Sequence, residues 1–183
     1  MKKIFILTIA LAASAISFKS MAQEVKMVGG AAMYPTRDIV DNAVNSKDHT
    51  TLVAAVKAAG LVETLKGDGP FTVFAPTNAA FNKLPEGTIS NLIKPENKAM
   101  LTRILTYHVL SGKYSSAEIV KAIKAGKGNA EFSTVSGGKL WAMMKGKNIM
   151  LKDENGGTSM LSIADVNQKN GIIHVIDSVV LPK

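Results

Sequence analysis

The sequence contains no cysteine. Disulfide stapling, frequent in exported domains, is therefore excluded, and the fold must be held by burial alone. Lipid attachment through cysteine is excluded with it. Histidine is scarce, with only His49, His108 and His174, and no second His or Cys accompanies any of them at metal-ligand spacing. The chain has no G-x-S-x-G elbow, no H-E-x-x-H and no glycine-rich phosphate loop, which leaves no recognised catalytic constellation. Aromatic residues make up 5% of the chain, too few to interleave with basic residues as single-strand nucleic-acid binders require. No apolar run reaches the roughly 20 residues of a membrane-spanning helix.

What is present describes an exported globular chain. Its 183 residues, 46% of them hydrophobic and 20% charged, suffice for one complete core. Lys2-Lys3, the apolar stretch Ile4 to Ile16 and Ser20-Met21-Ala22 form a positive n-region, an h-region and a small-residue cleavage site. Residues 1–22 read as a secretory signal peptide cleaved after Ala22. Losing Lys2, Lys3 and Lys19 with it takes the formal charge from +8 to +5. A secreted or periplasmic location follows, with no transmembrane segment in the mature chain.

Residues 23–35 carry no period and end at Pro35, so they read as an arm leading into a domain over 36–183. Thr36 is a candidate N-cap for a helix of about 10 residues bearing Ile39, Val40, Ala43 and Val44. A second helix presents Leu52, Val53, Val56 and Ala59 and stops at Gly60. FTVFAPT at 71–77 is β-rich, and Asn78 to Phe81 makes a helical turn capped by Thr77. A helix over about 95–106 buries Met100, Leu101, Ile104 and Leu105 and feeds Tyr107-His108 into a strand. Ser115 and Ser116 can cap one more, with Ile119, Val120 and Ile123 inward. Short strands then follow over 131–135, 139–145, 148–153, 159–165 and 171–181, separated by SGG, KGK, ENGG and NQKNG turns. Helices first and mainly antiparallel strands later define an α+β class.

Three segments in register carry a resemblance. FTVFAPTNAAF at 71–81, YHVLSG from Tyr107 and GIIHVIDSVVLP at 171–182 resemble the two conserved blocks and the tyrosine-histidine motif of fasciclin-like domains. The resemblance implies a wedge of two β-sheets flanked by several short helices, no common reaction, and an adhesive or ligand-binding role outside the cytoplasm. A cell-surface or matrix protein or an acidic polysaccharide is then the expected partner, without nucleic acid, metal or other cofactor.

The candidate binding residues are Tyr107, His108, Lys121, Lys124 and Lys127. The lysines fall at three-residue spacing, which sends them to one outer helix face where acidic polymer could dock. Strand alternation would turn His108 inward and leave Tyr107 partly exposed beside it. His174, inside IIHVIDSVV, reads as a neutral core histidine with both nitrogens bonded, since an unpaired buried ring costs about 1 to 3 kcal/mol. An alternative function, a periplasmic small-ligand or copper carrier, rests on Met143, Met144, Met150 and Met160 near Trp141, with Met27 and Met33 in the arm, because thioethers are soft ligands.

Overall fold

In the computed structural model, which describes residues 24–183, GIIHVI and FTVFAP lie side by side as neighbouring parallel strands inside the sheet, and their near-continuous apolar character follows from burial on both faces. The expected cleavage site and leader lie outside the described residues. In chain order the elements are strands β1 (Lys26–Val28) and β2 (Ala31–Met33), helix α1 (Ile39–Ala43), and a 3-10 turn at Lys47–His49 running into α2 (Thr50–Ala59). Next come α3 (Val62–Lys66), β3 (Phe71–Pro76), α4 (Asn78–Phe81), α5 (Thr88–Leu92), a 3-10 turn at Pro95–Asn97, and α6 (Lys98–Tyr107). The remainder is β4 (Val109–Ser111), α7 (Ser116–Ala125), β5 (Asn129–Ser133), β6 (Lys139–Lys145), β7 (Asn148–Lys152), β8 (Thr158–Gln168) and β9 (Gly171–Ile176).

Strands β3 to β9 form one seven-stranded sheet in the order β4-β3-β9-β8-β7-β6-β5. Only β3 and β9 are parallel; every other pair in it is antiparallel. The expectation of two separate sheets is corrected by β8. Its first residues pair with β7 and the rest with β9, with register shifts between Leu161 and Val166 that bend the ladder. The bend brings the two edges together, where Leu110 bridges Thr134 and the Val135 N–H donates to the Val109 carbonyl at 2.8 Å. The sheet is thus nearly closed.

Alternation along β3 and β9 divides the interior into two cores. Val73, Ala75, Ile173 and Val175 face a cluster shared with α1, α2 and α6, while Phe74 and Ile176 face a second cluster with Tyr107, Ile119, Ile123, Leu140 and Leu151. The helix-packed core and the sheet-enclosed core are separated by one backbone layer.

The segment read as an arm is a hairpin. Gly29 and Gly30 take positive φ, 57° and 76°, as a two-residue turn demands, and Val28 and Met33 are buried in the first core. The Lys47 N–H donates to the Gly29 carbonyl at 3.1 Å, and a Cβ on Gly29 would sit 2.2 Å from Ser46 Oγ. Asn42, fully buried, holds β2 to α1 by accepting from the Tyr34 N–H at 3.0 Å and donating to its carbonyl at 2.8 Å. The short α1 is capped by Asp38 rather than Thr36, and α3 and α5 are helices that the apolar periodicity did not predict.

Candidate functional site

Tyr107 is the last residue of α6 and His108 is its C-cap, so both precede the strand that was expected to hold them. Strand alternation therefore does not apply to the pair, and both rings point inward. Tyr107 is 0% exposed and His108 2%, which overturns the expected partial exposure of Tyr107. The Tyr107 hydroxyl donates to the Lys139 carbonyl and accepts from the Glu154 N–H at 3.2 Å. Gly138 leaves room for the ring, since a Cβ there would lie 2.8 Å from Tyr107 Cε2. Burial pushes the phenol up to about 12.

His108 joins three segments. Its Nδ1–H donates to the Ile104 carbonyl at 2.8 Å, satisfying one of the open carbonyls at the end of α6. Its Nε2 accepts from the Val180 N–H at 3.2 Å, and its own carbonyl accepts from the Phe74 N–H at 2.9 Å. Complete burial holds the ring neutral and lowers its pKa to about 4.

The core reading of His174 agrees with its contacts. Nε2–H donates to the Tyr114 carbonyl at 2.8 Å, Nδ1 accepts from the Asp165 N–H at 3.2 Å, and the ring stacks on Phe74 at 5.7 Å. Burial lowers its pKa. Asp165 occupies the bend in β8 at φ 59° and accepts from both the N–H and the hydroxyl of Ser116. Burial would raise that carboxyl, but these two hydrogen bonds hold it below the ordinary aspartate range.

Lys121, Lys124 and Lys127 are all exposed, and among the described residues none belongs to an ion pair. Lys121 and Lys124 sit on α7, whose start is fixed by a capping box between Ser115 and Glu118. Lys127 is not on the helix. The chain leaves the helix at Gly126, and Lys127 adopts φ 54° while the Gly128 N–H returns to the Ile123 carbonyl at 2.8 Å. The basic group is therefore a helix face plus its C-terminal corner.

Met143 stands opposite Met150, and Met150 opposite Met160, so three thioethers line up across β6, β7 and β8. All three are half-buried, and their alternate neighbours Ala142, Leu151 and Ser159 are the ones that face inward. Met144 points to the other face and is 38% exposed. Sequence alternation had separated Met143 from Met144; the cross-strand row needed the register. Asp153 was missed altogether, a buried carboxylate that accepts from Asn155, Gly157 and Leu181 N–H groups and ties the β7–β8 turn to the C-terminal segment.

Among the described residues no helix is long and apolar enough to cross a membrane. The model of the fasciclin domain matches residues 47–182. Protein sll1483 of Synechocystis sp. is 44% identical over 85% of this chain and 79% of its own length. Immunogenic protein MPT70 of Mycobacterium tuberculosis is 37% identical over 76% of this chain and 66% of its own. In structure, a FAS1 domain pair from the insect cell adhesion molecule fasciclin I superposes with a TM-score of 0.69 at 19% identity, covering 79% of this chain and 51% of that one. The match across the three segments and the bent seven-stranded sheet place this chain in the fasciclin domain family.

Proposed function

We propose that the chain is an exported, non-catalytic adhesion domain that holds acidic polysaccharide or a surface or matrix protein on the basic face made by Lys121, Lys124 and Lys127. The observation that carries this reading is the contrast between the two candidate groups: the lysines are exposed and unpaired among the described residues, whereas Tyr107 and His108 are interior and hydrogen-bonded on every polar ring atom. Tyr107-His108 then serves the binding face indirectly, by fixing the framework that carries it. The description of the insect relative as a cell adhesion molecule supports the same class of role.

Exposed lysines each contribute a small, salt-screened increment, about 1 kcal/mol or less, so their effect is collective. Triple charge reversal, Lys121→Glu, Lys124→Glu and Lys127→Glu, is expected to abolish retention on an acidic polysaccharide column without moving the melting temperature by more than a few degrees. Raising salt should reproduce the loss in the unaltered protein, because the Debye length falls to about 10 Å at 0.1 M. Retention unchanged by both treatments would overturn this placement of the site.

A second reading, a soft-metal carrier, draws on the row Met143, Met150 and Met160, whose thioethers suit Cu(I). Competitive titration with Cu(I) decides it. The adhesion reading expects no tight site, and a stoichiometric site lost in Met150→Leu would replace it with the carrier.

A further inference from the structure

The helix-packed core is incompletely filled. A cavity of about 90 Å³ lies between β1–β2, α1, α2 and β3, walled by Met33, Ile39, Leu52, Val56 and Val73 and reaching half-buried Val53 and Val62. Ser46, Lys57, Thr64, Thr106 and His108 reach the lining beside these apolar walls, and His49 supplies its unpartnered polar atom. That ring is 3% exposed; Nδ1 pairs with Ser46 Oγ at 2.8 Å, and Nε2 has no hydrogen-bond partner, the one buried side-chain polar atom left so among the described residues. The Ala75 carbonyl favours a proton on the ring, yet it does not meet hydrogen-bond geometry at Nε2. His108 also lines the space but has both nitrogens satisfied.

Water is a poor occupant. A site of this volume exceeds the roughly 10–15 Å³ that one water needs, but a buried water also needs two to four polar partners, whereas the walls are mainly apolar and His49 Nε2 is the one buried side-chain polar atom left without a partner among the described residues. A bare hydrocarbon fits the walls and leaves Nε2 unpaired, at the cost that any buried, unpartnered polar group carries. What fits both is an apolar ring or short alkyl body with one hydroxyl or carbonyl oxygen. A cationic head is excluded by the apolar surroundings, because burial keeps His49 neutral and offers no counter-charge.

We infer that this cavity is a binding site for a small apolar alcohol or ketone whose single oxygen pairs with His49 Nε2. The site is separate from the lysine face, and from the methionine row. The β1–β2 hairpin forms one wall, and its turn is docked on the Ser46–Asp48 loop beside His49, so ligand and hairpin support the same residues.

Phenol and benzene, which share a ring and differ by one oxygen, test it on the full chain. Phenol should shift the His49 ring resonances saturably and bind roughly tenfold more tightly than benzene, the difference expected of one added hydrogen bond. His49→Leu should erase that preference while retaining dispersed amide spectra. Should that variant not fold, Ala43→Leu, which fills the same cavity from α1, must expel phenol. Equal affinity for the two probes, no saturable shift up to solubility, or unaltered phenol binding in the folded variant would each overturn the inference.

Discussion

His108 shows how a single residue sets a pH dependence. Its pKa is near 6.5 in an unfolded chain and about 4 in the fold, where burial disfavours the cation. Above the unfolded value both states are neutral and the shift has no effect. As pH falls from about 6.5 to about 4 the unfolded chain takes up the proton first, so stability drops, by roughly 3 kcal/mol in total for this group. Urea midpoints measured across that range should fall for the wild type and fall less steeply for His108→Gln, even though the variant is less stable at pH 7. His49 and His174 are shifted the same way by burial, which leaves the variant with a residual slope. A midpoint independent of pH in the wild type would contradict the buried neutral ring.

The elements carry their own contradictions, and α7 holds the clearest. Its beginning is well specified by Ser115 and Glu118, but its end places a lysine at the left-handed position that glycine ordinarily fills. A side chain there costs about 1 kcal/mol relative to glycine. Lys127→Gly should therefore raise the melting temperature by about 2–4 °C, as ~1 kcal/mol does in a domain of this size, while reducing retention on acidic polymer. Opposite signs for stability and binding would separate the lysine's contribution to the surface from its effect on the fold; a lower melting temperature would refute the backbone argument. The hairpin makes the reverse point. QEVKMVGGAAMYP has no amphipathic period, yet Gly29-Gly30 is turn chemistry, and that signal alone could have found β1 and β2.

For the whole molecule the outstanding expectation is export. If the leader is removed after Ala22, N-terminal sequencing of the mature protein should begin at or within a few residues of Gln23. The first strand is three residues long and pinned by Lys26, whose ammonium donates to the Ala164 carbonyl at 2.7 Å. Protein recovered from outside the cytoplasm with Met1–Ala22 attached would refute the cleavage.

The sequence by itself determined the α+β class, the apolar strands that became β3 and β9, the stop of α2 at Gly60, the caps of α4 and α7, and the inward place of His174, because each rests on local periodicity, turn chemistry or a run of neighbours. Only the tertiary structure decided the rest. Whether Tyr107 faces water depends on where α6 ends and on Gly138, a residue far along the chain that leaves space for its ring. The row of Met143, Met150 and Met160 depends on strand register, which no single strand encodes. The orphaned nitrogen of His49 depends on how the hairpin, α1, α2 and β3 fail to fill one volume, and a void has no residue of its own to be read from the sequence.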